Sequence, residues 1–252
     1  LSIESISFAE EKISVEGIEV PVLMYHHISD DVTSEAVVTA EKFEEDLITL
    51  KSAGYETIFL DELAAYLQGQ GELPEKPLLI TFDDGYQNIY DLALPILKRY
   101  GHTATTYVVS DQVGKTNEWD AGLVATKPLM SREQLLSWLD AGMDVGSHTC
   151  THADLTNLND MDALKEIELS KLSLENSLGT QIHHFCYPYG RMQPIHAQMA
   201  RDCGYVTATM MKRGRVHSDH NPWELSRVLM ARATNPIQFF MKLMTRYEDR
   251  RG

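Results

Sequence analysis

The chain has too little cysteine to be held together by disulfides. Cys150, Cys186 and Cys203 are its three, no pair has CxxC spacing, and an odd number leaves at least one thiol unpaired. Cysteine therefore does not settle the compartment. Long apolar runs are also missing, and none approaches the length that spans a bilayer. Basic residues are scarce, with 22 Lys and Arg against 37 Asp and Glu and a formal net charge of -15. Without a block of Lys and Arg to meet a phosphate backbone, nucleic acid is not an expected partner. A neutral or cationic substrate suits that charge. Solenoid-length repeats and low-complexity tracts are absent too. The numbering starts at Leu1, which fits a processed exported protein or a trimmed chain equally and leaves peripheral membrane or cell-wall association open.

What is present suffices for one sizeable core: 252 residues, 43% of them hydrophobic, in the range of a single larger domain. Residues 1–19 form a polar extension with weak alternation at Ile13, Val15 and Ile18, and the domain is expected over 20–252. Val20 to Tyr25 reads as a buried strand ending at His26 and His27. Thr39 caps a helix through Phe43, Leu47 and Leu50 that Gly54 stops. Thr57 to Leu60 reads as a strand, with Asp61 capping the next helix. After a Pro74 to Pro77 linker, Leu78 to Phe82 lacks alternation, as expected of a strand buried on both faces. A helix through Leu92, Ile96 and Leu97 carries a disruptive Pro95, and Thr103 to Val109 follow as a strand.

Ser131 with Gln134 makes a capping box for a helix that Gly142 closes. A long helix runs from Asp160 to Gly179, Ile182 to Tyr187 read as a strand, and a helix at Ile195 to Met199 precedes a strand at Tyr205 to Thr209. Met210, Met211, Lys212, Arg213 and Arg215 read as a loop with solvated charges. A last helix is capped by Asn235 with Pro236 at its first position. The βα alternation predicts an α/β, single-domain, deformed (β/α) barrel of seven parallel strands.

Chemistry concentrates in two segments, Thr81-Phe82-Asp83-Asp84-Gly85-Tyr86 and Ser147-His148-Thr149-Cys150-Thr151-His152. Asp84 with His148 and His152 makes a one-carboxylate, two-imidazole ligand set that leaves coordination positions open, as catalytic zinc sites do. Asp83 is then a spare carboxylate and the candidate base. Gly85 permits a bend that lets both carboxylates reach one cavity, and a helical turn would bring His148 and His152 to one side. Cys150 is expected to pack, not ligate. Zinc is the default ion, and the same ligands accept cobalt, nickel or iron.

These two segments, together with Tyr187-Pro188-Tyr189-Gly190, resemble the first three motifs of the polysaccharide deacetylase family, carbohydrate esterase family 4, across about residues 20–230. The resemblance implies Asp83 as base, Asp84, His148 and His152 as metal ligands, and Pro188 with the Tyr189 backbone N–H at the oxyanion. Two positions depart from the family pattern. Cys186 stands where many members have an arginine three residues before the motif tyrosine. Arg227 is either its replacement, orienting Asp83, or a surface arginine. The late Leu-x-His motif has no convincing match, and His26, placed before the first motif, is similar to the acid of circularly arranged members that deacetylate poly-N-acetylglucosamine in biofilm matrix. His27 or a solvent proton is the alternative acid.

The reading is thus a secreted or cell-surface, metal-dependent N-deacetylase of N-acetylglucosamine-containing polysaccharide, with poly-β-1,6-linked glycan as the leading substrate. Peptidoglycan, chitin oligomers and xylan stay open. A non-catalytic glycan-binding module is the rival from another class, whereas adjacent aspartates are poorly placed to flank a sugar ring as a glycosidase requires. Trp119 and Trp223 are candidate sugar platforms, and Trp138 a core residue.

Overall fold

The computed structural model describes residues 17–30, 36–123 and 125–251; the expected alternation at Ile13 and Val15 lies outside them. In chain order the elements are β1 (Val22–Tyr25), β2 (His27–Ile28), β3 (Val37–Val38), α1 (Ala40–Ser52), β4 (Glu56–Thr57), α2 (Leu60–Leu67), β5 (Pro77–Phe82), α3 (Leu94–Tyr100), β6 (Thr105–Val108), α4 (Arg132–Asp140), β7 (Asp144–Ser147), α5 (Asp160–Leu178), β8 (His184–Cys186), α6 (Pro194–Asp202), β9 (Thr207–Arg213), β10 (Leu225–Leu229) and α7 (Pro236–Met244).

Strands β1, β10, β9, β8, β7, β6 and β5 are neighbours in that order, and β5 pairs back onto β1, closing a seven-stranded ring. Every pairing in the ring is parallel. Closure leaves no edge and sends all strand C-termini to one mouth, where α/β barrels assemble their sites. Alternation along the strands divides the core. Leu23, Ile80 and Phe185 face the helices in one buried cluster. Val22, Leu79, Tyr107, Cys186 and Leu225 belong to a second cluster that fills the barrel, joined by Leu60 and Leu63 of α2.

Most expected elements recur with shifted bounds, and three differ for identifiable reasons. Thr57 to Leu60 is not a ring strand: only Glu56 and Thr57 pair with β5, as its extension. Phe59 is the extended N-cap of α2, not Asp61, because the Glu62 carboxylate accepts the Phe59 N–H at 2.7 Å. The seventh ring strand is instead β10, around Arg227. Second, Met210 to Arg213 continue β9 rather than forming a loop, and Arg215 is 7% exposed, held by Glu19 and Asp249. Third, a π-helical turn, Ile89–Ala93, precedes α3 and puts Pro95 in its first turn, where a missing N–H is tolerated. The capping boxes at Ser131 and Asn235 form as the sequence predicts.

Candidate active site

Asp83 and Asp84 follow β5, His148 and His152 follow β7, and Pro188 and Tyr189 follow β8, so the three motif segments meet at the C-terminal mouth. Backbone strain concentrates there. Among the described residues, the non-glycine positions with positive φ are Asp84 (73°), Thr149 (66°), His152 (64°) and Tyr189 (58°). Such conformations cost about 1–3 kcal/mol each and persist only where packing enforces them. The left-handed turn at Asp84, continued by Gly85 at 71°, breaks strand alternation and brings both carboxylates into one cavity.

His148 and His152 converge by a different route from the helical turn the spacing suggested. Their segment is a loop with left-handed steps at Thr149 and His152, stitched by the His152 N–H to Thr149 Oγ1 at 3.0 Å. Glu166 of α5 clamps it, its carboxylate accepting the N–H groups of Cys150 at 2.9 Å and Thr151 at 3.0 Å and the Thr151 hydroxyl at 2.9 Å. Glu166 had no signal in the sequence beyond its place on a helix. Cys150 packs at 8% exposed against α5.

Asp84 Oδ1 lies 3.4 Å from His148 Nε2 and 3.3 Å from His152 Nε2. Four ligands at about 2.0–2.1 Å around zinc are separated by about 3.3 Å, so the donor set fits a divalent ion. The His148 Nδ1 meets the Cys186 carbonyl at 2.8 Å, which assigns the proton to Nδ1 and leaves the Nε2 lone pair inward. Burial works to raise the Asp84 pKa, but the two imidazoles outweigh it and hold the carboxyl well below its ordinary range.

Asp83 has a different partner. Arg227, 0% exposed, forks onto both its oxygens, Nη1 to Oδ1 and Nη2 to Oδ2, each at 2.7 Å. Its remaining donors meet the Met210 carbonyl at 2.8 Å, Thr81 Oγ1 at 3.2 Å and Cys186 Sγ at 3.2 Å. The register slip between β10 and β9 at Leu225 and Arg227 is the kind of irregularity that re-aims a side chain. The arginine missing at position 186 is thus met from another strand, with Cys186 leaving room for it. Burial pushes the Asp83 pKa up, but Arg227, helped by His26 and His148, overcomes this and brings it below the ordinary carboxylate value. Asp83, His148 and Cys186 could also be read as a ligand set, but the guanidinium already faces Asp83 and Cys186, which disfavours a second cation.

His26 Nε2 is 3.7 Å from Asp83 Oδ2, and both line a cavity of about 220 Å³ with Asp84, Trp119, His148, His152 and Tyr189. His27 points elsewhere: its ring lies 3.6 Å from that of Tyr86 and its Nδ1 meets Asn88 at 2.9 Å. Burial lowers its pKa to about 4, which makes it a poor proton donor near neutrality. Trp119 stacks on His152 at 4.6 Å and Tyr189 meets the same ring edge-on at 4.7 Å. Trp223 is outside the cavity, its indole N–H bonded to the Tyr205 carbonyl at 2.8 Å, and Trp138 is fully buried.

Fold and site together define a class, a parallel-barrel hydrolase whose mouth has room for one cation. Residues 70–208 match the polysaccharide deacetylase family, and the chain belongs to it. The protein named "Putative polysaccharide deacetylase YxkH" in Bacillus subtilis (strain 168) is 30% identical over 210 residues, 83% of this chain and 71% of that protein. The poly-beta-1,6-N-acetyl-D-glucosamine N-deacetylase of Staphylococcus epidermidis is 26% identical over 202 residues, 77% of this chain and 68% of its own length. The fold recurs in the Streptococcus pyogenes deacetylase PplD, solved in complex with acetate, with a TM-score of 0.80 at 24% identity over 90% of this chain and 99% of that one.

Proposed function

We propose that this protein is a metal-dependent, secreted or cell-surface enzyme that removes N-acetyl groups from N-acetylglucosamine-containing polysaccharide, with poly-β-1,6-linked glycan as first substrate. The observation that carries this is the junction, in one cavity, of a cation-type triad (Asp84, His148, His152) with a separate carboxylate, Asp83, already ionised by Arg227. Asp84, His148 and His152 would hold a divalent cation, zinc first, which when bound would supply Lewis acidity toward the attacking water and the acetamide carbonyl. Asp83 takes the proton of the attacking water, using lone pairs that the guanidinium leaves unused. The Tyr189 backbone N–H donates to the developing oxyanion, an interaction whose loss costs about 3 kcal/mol elsewhere, and Pro188 fixes that turn. His26, in its protonated form, gives its proton to the departing amine. Water and amide thus become acetate and a free amino sugar.

The linkage rests on two supports: the staphylococcal relatives named for poly-β-1,6-N-acetylglucosamine, and an acid residue that precedes the first motif. The substrate charge is compatible with a chain carrying a net -15. Acetate release from poly-N-acetylglucosamine, chitin oligomers, peptidoglycan and acetylated xylan, with and without chelator, tests the reading. Acetate from the first, abolished by chelator and by Asp83→Asn, is expected. Glycan binding with no acetate under any divalent metal makes the protein a binding module, and acetate only from another glycan overturns the linkage alone.

A further inference from the structure

The barrel has a second mouth, and chemistry-bearing residues converge there as well. Inward-facing positions on β7 and β8 supply Asp144 and His184 at the strand starts, and the first turn of α2 brings Asp61 across the opening. His184 is 2% exposed. Its Nδ1 meets Thr207 Oγ1 at 2.9 Å, and its Nε2 faces two carboxylates, Asp61 Oδ1 at 3.5 Å and Asp144 Oδ2 at 3.9 Å. His183 adds Nδ1 at 3.2 Å from Asp61 Oδ1.

We infer that Asp61, His183 and His184, with Asp144 as fourth donor, form a second divalent transition-metal site at the N-terminal end of the barrel. The three principal donors lie within 4.8 Å of one another, as do those of Asp84, His148 and His152. The two separations from Asp61 Oδ1, 3.2 Å to His183 Nδ1 and 3.5 Å to His184 Nε2, bracket the edge of about 3.3 Å that zinc ligands at about 2.0–2.1 Å define. Imidazole plus carboxylate is a zinc-type donor set.

Hydrogen bonding orients one ligand from behind. His183 Nε2 lies 3.1 Å from Gln181 Oε1; with the amide in this orientation Nε2 donates, and the Nδ1 lone pair is turned toward the Asp61 carboxylate, 3.2 Å from each of its oxygens. Lone pairs facing one another at 3.2 Å repel unless a proton or a metal lies between them. The opening also has a route in, since Asp61 is exposed.

The position gives the ion a structural task. β7 starts at Asp144 and leads into His148, while β8 starts at His184 and ends at Cys186, whose carbonyl holds the His148 ring. An ion at the N-terminal mouth therefore fastens the two strands that orient one ligand of the other site, roughly 13 Å away by strand rise.

Metal stoichiometry tests this independently of activity. Chelator-stripped, untagged protein is dialysed against buffered zinc and its metal content measured beside thermal melting. Two zinc ions per chain are expected for the wild type, and one for the Asp61→Asn/His183→Gln double variant, whose substituted positions lie outside the catalytic cavity. One is also expected for His148→Ala/His152→Ala, and zinc should raise the melting temperature of that variant. An Asp61→Asn/His183→Gln protein that binds as much zinc as the wild type overturns the second site. A wild type with one ion that is lost only in His148→Ala/His152→Ala overturns it too while leaving the proposed function standing. A single ion lost only in Asp61→Asn/His183→Gln upholds the second site and counts against the proposed metal dependence.

Discussion

Replacing Arg227 by methionine removes the one guanidinium that neutralises Asp83 and leaves most of the packing volume. Both groups are buried, with Arg227 0% and Asp83 2% exposed, and two charge-assisted hydrogen bonds of 2.7 Å join them. Breaking such a pair on one side costs about 3–5 kcal/mol, because the other charge stays buried without a partner. The pH dependence should invert. In the wild type Asp83 has a lowered pKa, so its contribution to stability is complete above the unfolded value of about 3.9 and is lost as pH falls through the folded value.

Without Arg227, burial dominates and the Asp83 pKa rises above the unfolded value. Folding then favours the protonated acid, and stability is lost as pH rises from the unfolded to the folded pKa. Urea denaturation at pH 5 and pH 7 should show Arg227→Met less stable at the higher pH, whereas the Asp83 contribution in the wild type is the same at both. The acid limb of kcat/KM should move to higher pH, by one pH unit for about every 1.4 kcal/mol by which Arg227 favours the carboxylate over the acid. Adding Asp83→Asn should return part of the stability, since no buried charge then remains, giving a coupling energy of up to about 3 kcal/mol. Arg227→Lys, which keeps the charge but loses the fork, should fall between. An Arg227→Met protein with an unmoved acid limb and a loss under about 1 kcal/mol would refute the reasoning.

His26→Ala should lower acetate release by about 10²–10⁴ with metal content unchanged, while His27→Ala, away from the cavity, should affect stability more than turnover; near-normal turnover without His26 removes it from the mechanism. Gly190→Ala should cost more than the roughly 1–3 kcal/mol typical of overpacking, because Gly190 has φ 64° and a Cβ there would collide with the backbone N and Cβ of Met211. Tyr189 would move with it, so thermal melting and kcat should fall together, and a variant with unchanged melting contradicts the close approach.

Legibility tracked the range of the interactions. Helix ends with local signals, such as the Ser131 and Asn235 boxes, were readable because cap and partner lie three residues apart. The carboxylate and histidine motifs were readable as chemistry, since metal donors are few in type. How they converge was not: spacing suggested a helical turn for His148 and His152, whereas left-handed backbone at Thr149 and His152, enforced by Glu166 from a distant helix, brings them together. Arg227 was ambiguous because its burial depends on a register slip between two strands, and its partner is 144 positions away. The strand expected at Thr57 to Leu60 misled for the opposite reason, a local apolar run whose Leu60 packs as the start of a helix.

The most direct test is an anomalous difference map at the zinc edge from crystals grown with zinc. The expected peak lies about 2.0–2.2 Å from Asp84 Oδ1, His148 Nε2 and His152 Nε2 together, with the Asp83 fork onto Arg227 intact. No density there, or a peak among Asp83, His148 and Cys186 with Arg227 displaced, would contradict the assignment of ligand and base.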